Sequence, residues 1–315
     1  TALIKHISGQ KRPRVAVRSL LHRSASAIQT LKPCFMMSPM SVAQYLKPGT
    51  FDFDIVIMDE ASQIRPADAL GAIARGKSLV VVGDPKQLPP TSFFEKITSD
   101  EEDDDTVVLQ DSESILDSVS SMFRARRLRW HYRSRHESLI AFSNKHFYDS
   151  DLVLFPSPFQ ETAEFGINFT RAKTGRFVNR RNTEEAKDIA LLVASQLKND
   201  PQESVGVVAM SAEQRDEIEK IFEQHLKDDP ELKSAYDKNS EQLEPLFIKN
   251  LENVQGDERD VIIISMTYGP EQIGGRTMQR FGPINTDVGW RRLNVLFTRS
   301  KKRMHIISSM GSGDV

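Results

Sequence analysis

Two short polar clusters, Asp59-Glu60-Ala61-Ser62 and Gly83-Asp84-Pro85-Lys86-Gln87-Leu88-Pro89-Pro90-Thr91, each stand directly behind a short apolar run. Phosphate chemistry needs a carboxylate to hold a divalent cation, a second group to orient the attacking water, and a sensor for the terminal phosphate. Asp59, Glu60 and Gln87 are the types for those three tasks. The runs 55–58 and 79–82 read as fully buried strands of a parallel sheet. That reading puts both clusters at strand C-terminal ends, where open α/β sheets bind their ligands. A nucleoside triphosphate is the ligand this pair suggests. Taken alone, Asp59 and Glu60 could also be strand-end turn residues, and Gln87 could cap a turn ahead of Pro89 and Pro90.

The elements that must position these residues alternate along the chain. Short apolar runs with β-branched or Met content occur at 34–37, 55–58, 79–82, 205–209, 261–265 and 305–308. Between them, apolar residues recur at three and four spacing over 67–74, 114–122, 137–145, 183–197 and 211–226, which predicts helices. Asn182 is placed to cap the fourth, and Ser211 with Gln214 has the capping-box spacing for the fifth. Strands alternating with helices mean βαβ units and parallel sheets, hence an α/β fold. The acidic block 100–105 contains no apolar residue and reads as a solvated loop between two groups of such units. The domain boundary is accordingly expected near Phe123, giving domains 1–122 and 123–315.

At 315 residues the chain is long enough for two domains with separate cores. Its 39% hydrophobic and 27% charged content are those of a soluble globular protein. No apolar run reaches membrane-spanning length and no signal-peptide pattern opens the chain, so no membrane partner is expected. One cysteine, Cys34, permits no internal disulfide and suits a reducing, cytoplasmic compartment. A first residue of Thr rather than Met suggests an excised piece of a longer protein. The net charge of -2 argues against a uniformly basic coat, yet basic residues cluster at 11–23, 124–135, 171–181 and 291–303. Each cluster alone is as readily a wet surface as a polyanion site. The seven histidines are scattered without a third ligand at metal-site spacing, so no zinc site is expected, and no nucleophile elbow occurs.

Gly71-Ala72-Ile73-Ala74-Arg75-Gly76-Lys77-Ser78 fits the phosphate-loop pattern G-x-x-x-x-G-K-[ST] letter for letter. A working loop follows a strand and opens a helix, so that its amides and the helix N-terminus face the phosphates. Here an apolar helix from Ala67 runs into the motif and a strand leaves it. Gly76 then reads as a helix C-cap and Lys77 as a last-turn cation. The match is a decoy.

Further segments stand in a fixed order behind the two opening clusters: 128–135 (Leu-Arg-Trp-His-Tyr-Arg-Ser-Arg), 252–260 (Glu-Asn-Val-Gln-Gly-Asp-Glu-Arg-Asp) and 291–301 (Arg-Arg-Leu-Asn-Val-Leu-Phe-Thr-Arg-Ser-Lys), with 38–45 upstream of them all. In this order the chain resembles the C-terminal portion of the motor of superfamily 1 helicases. It is most similar to the 5′-to-3′ branch that includes the nonsense-mediated decay and DNA replication helicases, and within it to large bacterial proteins with an appended nuclease-type domain.

The resemblance implies tandem RecA-like domains with parallel sheets, the first one truncated, holding ATP in a cleft between them and a single strand across both. It implies Asp59 on magnesium, Glu60 on the attacking water and Gln87 on the γ-phosphate. Arg133 and Arg299 would be arginine fingers, Gly256 and Glu258 would contact the nucleotide, with Glu258 on the ribose the easier geometry, and Tyr132 would lie against the adenine. The plain alternatives are surface ion pairs for the arginines and packing within its own domain for Tyr132.

Ser38, Pro39, Pro90, Gln214, Thr267 and Tyr268 stand at strand ends or helix starts as candidate contacts to single-stranded nucleic acid, DNA favoured over RNA by analogy, and each also serves as an ordinary turn or cap residue. The true phosphate loop, the adenine-recognising segment and the first nucleic-acid segment of the family are missing, so the chain by itself is expected neither to hydrolyse ATP nor to unwind a duplex. The competing readings are a non-catalytic nucleic-acid-binding module and a nucleotide-gated interaction switch in a repair or defence assembly.

Overall fold

The computed structural model describes residues 2–12, 14–90, 114–158, 162 and 164–311. The chain divides into two compact units, Thr1–Arg126 and Arg127–Val315. The acidic block and Thr91 lie outside the described residues. Among the described residues no helix is long and apolar enough to cross a membrane.

The first unit is built around two parallel strands, β1 (Phe53–Met58) and β2 (Gly76–Val81), paired from Phe53 against Gly76 to Met58 against Val81. The helix Pro66–Ile73 connects them, with Pro66 at its first position, where a missing amide costs nothing. Met58, Ala61, Ala69, Ile115 and Val119 form its core, with Val56, Leu79 and Val81 packed against them. The helix Ile115–Ser120 joins this core behind a complete capping box between Ser114 and Asp117. A second cluster gathers Leu21, Leu46 and Phe51 with Phe35 and Phe53, whose rings meet edge to face.

Three expectations fail in this unit. The two strands are not buried on both faces: Ile55 and Ile57 are 49% and 63% exposed and Val80 is 41% exposed, because only the alternate residues meet the helices. No strand forms at 34–37, where Phe35 and Met37 instead pack as irregular chain on the second cluster. Gly76 is not a helix cap either. Ala74 ends the helix and Gly76 opens β2, where a Cβ would come within 2.5 Å of Val56 Cγ2. The decoy itself is what the sequence suggests, a helix leading into a strand. Lys77 is a strand residue pairing with Asp54 across the ladder.

The second unit is a five-stranded parallel sheet in the order β3 (Gly166–Arg171), β7 (Ser300–Ser308), β6 (Arg259–Ser265), β4 (Val205–Ala209), β5 (Phe247–Asn250). Both sheets therefore belong to the parallel α/β class that the alternation of elements predicts. Val205, Val207, Val261 and Ile263 meet Ile189, Val193, Ile218 and Phe222 of the helices Thr183–Asn199 and Ala212–Asp228 in one core. The Asn182 side chain accepts from the Glu185 amide and caps the first of these helices. Ser211 caps the second through the Gln214 amide, but the box is half made, because the Gln214 side chain turns inward to Asn182 and Ser265. The strands β3 and β5 and the helices Val17–Leu31, Pro39–Tyr45, Pro230–Ser240 and Trp290–Phe297 add to the predicted elements.

Candidate nucleotide and nucleic-acid sites

In the first unit, the ladder runs past the end of β1 and β2 and folds the polar clusters onto each other. Val82 donates to Met58 O at 2.7 Å and Ala61 donates back to Val82 O at 2.9 Å. Between those bonds Asp59 and Glu60 form an exposed turn, in which the Asp59 carboxylate accepts the Glu60 amide at 3.0 Å. Glu60 is left-handed (φ 51°, ψ 38°) and opens a 3-10 turn over Ala61–Gln63; Gln63 Nε2 donates to its carboxylate at 3.1 Å. That backbone costs a non-glycine residue on the order of 1–3 kcal/mol. Gly83 lies close behind, with its Cβ position 3.1 Å from the amide nitrogens of both Ala61 and Ser62. Asp84 then accepts the Lys86 amide at 2.9 Å and the Gln87 side-chain amide at 3.1 Å, which fixes the second turn. Asp59, Glu60 and Gln87 thus stand at one strand-end edge of one sheet. Pro90 is buried, and Ser38 with Pro39 opens the helix Pro39–Tyr45 through a cap to the Ser41 amide.

The candidates of the second unit fall at opposite edges of its sheet. Arg133, Gly256, Glu258 and Arg299 gather where β6 and β7 begin. Arg133 Nε pairs with the Glu258 carboxylate at 2.7 Å while its Nη1 donates to Thr298 O at 3.3 Å. Arg299 is 3% exposed and donates to Val295 O at 2.8 Å and Thr298 Oγ1 at 2.8 Å. Gly256 takes a φ of +86° in the turn that presents Asp257 and Glu258. His131 sits below Arg133, and burial together with that guanidinium pushes it down to about 4, so it is neutral at physiological pH. Tyr132, on the same segment, is 89% exposed and does not pack into its own unit.

Where β4, β6 and β7 end, a buried polar network joins the cap residue Asn182 and the candidate strand contacts Gln214 and Thr267 to Glu185, Ser265 and Ser309, which the sequence did not single out. Glu185 is fully buried and accepts five hydrogen bonds. Asn182 Nδ2 (3.2 Å), Ser309 N (2.7 Å) and Ser309 Oγ (2.9 Å) reach one oxygen. Ser265 Oγ (2.8 Å) and Thr267 N (2.7 Å) reach the other. Burial nonetheless pushes its pKa up to about 7 against the opposing pull of these donors. Gln214 closes the network on Asn182 N at 2.7 Å and Ser265 Oγ at 3.0 Å. Gln214 and Thr267 are wholly buried, and their side chains are engaged within this network. Tyr268 is 8% exposed between Phe177 and Phe281, donating to Phe281 O at 2.9 Å. The signal for Glu185 was an acid standing four residues before Ile189 on an otherwise apolar stripe.

Among the described residues no group of three or more His, Cys, Asp or Glu could hold a metal ion. A magnesium ion needs less from a protein, commonly one or two carboxylates with the remaining ligands from phosphates and water. The exposed Asp59 fits that donor set.

Residues 112–311 match an AAA domain and residues 39–95 a second AAA domain. An uncharacterized ATP-dependent helicase of Mycoplasma genitalium is 32% identical over 90% of this chain, and helicase sen1 of Schizosaccharomyces pombe is 26% identical over 83%. The chain spans 25% of the first relative and 15% of the second. Among solved structures, an Arterivirus nonstructural protein 10 helicase aligns with 81% of this chain and 39% of its own at 11% identity and a TM-score of 0.37. With its AAA-domain match covering well over half of its length, the chain belongs to the AAA-domain family, within the superfamily 1 helicases of the branch that includes the nonsense-mediated decay helicase.

Proposed function

We propose that this chain is the C-terminal part of the motor of an ATP-dependent helicase or translocase that moves on single-stranded nucleic acid, with DNA favoured. Asp59 holds magnesium, which offsets charge on the phosphates when bound. Glu60 orients the attacking water and Gln87 reads the γ-phosphate. Arg133 and Arg299 stabilise charge on the transferring group, while Gly256, Glu258 and Tyr132 hold the nucleotide. The observation that carries this reading is the pair of interlocked turns placing Asp59, Glu60 and Gln87 at one strand-end edge. The phosphate cradle itself comes from residues other than 71–78, which are spent on a helix-to-strand connection. On this reading the chain alone is expected not to hydrolyse ATP.

The test is the protein in its full natural length. Glu60→Gln is expected to lower strand-stimulated ATP hydrolysis about 100-fold or more while ATP-dependent binding of an oligonucleotide persists. Full activity in that variant overturns the reading. A second reading, a nucleotide-gated interaction switch, is favoured by the engagement of both candidate fingers within their own unit, Arg133 by Glu258 and Arg299 by Val295 and Thr298. Binding of single strands with no strand-stimulated turnover in the wild type would select it.

A further inference from the structure

The segment that carries Tyr132 and Arg133 is neither helix nor strand, and the backbone pins it on both sides. Ahead of it Val153 donates to Arg129 O at 2.7 Å and His131 donates to Val153 O at 3.1 Å, closing a single bridge between Trp130 and Val153. Behind it Arg135 donates to Lys301 O at 2.7 Å. Among the described residues no backbone-to-backbone hydrogen bond of 132–134 fills the gap between these anchors.

A side chain fills it instead. His131 Nε2 receives the Ser134 amide at 3.2 Å and stands 2.8 Å from Ser134 Oγ. A ring nitrogen that accepts an amide carries no proton, so the imidazole is neutral with its proton on Nδ1, and the Ser134 hydroxyl donates to the same Nε2. Burial and the Arg133 guanidinium, which push the ring down to about 4, keep that nitrogen open as an acceptor at physiological pH. The bond closes a small loop around Tyr132 and Arg133. At its tip Arg133 is held only by the Glu258 carboxylate and Thr298 O, and a phosphate that takes the guanidinium releases it from the carboxylate. What then still sets the direction of the side chain is the loop from which it leaves.

We infer that His131 is a positioning residue for Arg133: its imidazole holds the 132–134 loop so that the guanidinium stays aimed once Glu258 gives it up. The assignment rests on the reading of Arg133 as an arginine finger and adds the group that directs it. His136 supplies an internal comparison. Its Nδ1 receives the Ser138 amide at 3.2 Å and stands 2.8 Å from Ser138 Oγ, the same pair of bonds, but at the start of the helix Ser138–Phe147 and spanning no candidate residue.

The experiment measures kcat of strand-stimulated ATP hydrolysis and thermal unfolding in the protein of full natural length. His131→Leu removes the acceptor, and His131→Gln replaces it with a carbonyl oxygen. His131→Leu is expected to lower kcat about 10- to 100-fold, the usual loss for a misaimed group, and His131→Gln to recover most of it. In a protein already carrying Arg133→Gln, His131→Leu is expected to lower kcat no further, because groups that act as one unit are not additive. His136→Leu is expected to lower the melting temperature and to leave kcat at the wild-type value. Wild-type kcat in His131→Leu, or a His131→Gln variant as impaired as His131→Leu, overturns the assignment and leaves the finger reading standing. A full further loss in the double variant overturns it too, since His131 would then act apart from Arg133. So does an equal fall of kcat in His136→Leu, which would trace the effect to the loss of any cap in this segment. Wild-type turnover in Arg133→Gln alone removes the finger reading and the assignment together.

Discussion

Arg133 reaches two segments at once: its Nε is 2.7 Å from the Glu258 carboxylate, and its Nη1 donates to the carbonyl of Thr298, the residue before Arg299. At 37% exposure on each side the ion pair is worth no more than about 1 kcal/mol, so a phosphate arriving beside it can take the guanidinium from the carboxylate. Arg133→Gln is accordingly expected to lower the kcat of strand-stimulated hydrolysis by about 1,000-fold with little change in stability. Glu258→Gln is expected to change KM for ATP and to leave kcat within roughly tenfold. Steady-state kinetics on the two variants separates the roles. Equal losses of kcat would mean that the pair only holds the fold.

Glu60 keeps a left-handed backbone in which glycine would be at ease. Glu60→Gly should therefore stabilise the protein by up to about 1 kcal/mol in thermal unfolding while removing hydrolysis, since strain is kept where the carboxylate is needed. Gly83→Ala should act the other way. Its new methyl would meet Ala61 N, Ser62 N and Leu116 Cδ2, each at 3.1 Å, at a cost of roughly 1–3 kcal/mol, and would displace the turn that carries Asp59 and Glu60. A destabilised Glu60→Gly variant would show instead that the Gln63 bond, not the backbone, governs this turn.

The contrast between these two turns and the Glu185 network shows which features a linear sequence reveals. β4 was readable to the residue because Val-Gly-Val-Val-Ala is buried on both faces, and a central strand announces itself by unbroken apolar character. β3 and β5 stand at the two sheet edges and carry Asn168, Thr170, Lys249 and Asn250, polar residues that hide a short edge strand. In β1, apolar residues indicated that burial was possible but not what would cover them, and Ile57 is exposed. The position of Asp59, Glu60 and Gln87 behind β1 and β2 was legible because the apolar runs of those strands end just ahead of them. Glu185 was not, because Ser265, Thr267 and Ser309 lie 80, 82 and 124 residues away from it.

That network also carries a pH dependence. The Glu185 pKa is raised from 4.5 to about 7 in the folded protein, so between those values the native state holds a proton that the unfolded chain has released. Its contribution is therefore full below 4.5 and lost as pH rises through 7. His131 and His305, pushed down to about 4 by burial, act in the opposite sense and lose stability as pH falls below 6.5. Urea unfolding at pH 5 and pH 8 in wild type and Glu185→Gln isolates the carboxylate. Wild type should lose stability relative to the variant on going to pH 8, by a few kcal/mol at most. An unchanged difference would place the proton elsewhere in the network.

Lys77 gives the sharpest separation between pattern and structure. As the lysine of a working phosphate loop it would be indispensable to nucleotide binding, and Lys77→Ala would abolish turnover. In the fold it is a residue of β2 whose ammonium meets Asp54 at 2.9 Å on an open surface, with side-chain exposures of 74% and 92%. An ion pair so exposed is screened and contributes little. Lys77→Ala is therefore expected to leave ATP affinity, strand-stimulated turnover and thermal stability of the full-length protein at wild-type values. Loss of ATP binding in that variant, with the melting temperature unchanged, would mean that residues 71–78 cradle phosphate after all and that the assignment of the cradle to other residues is wrong.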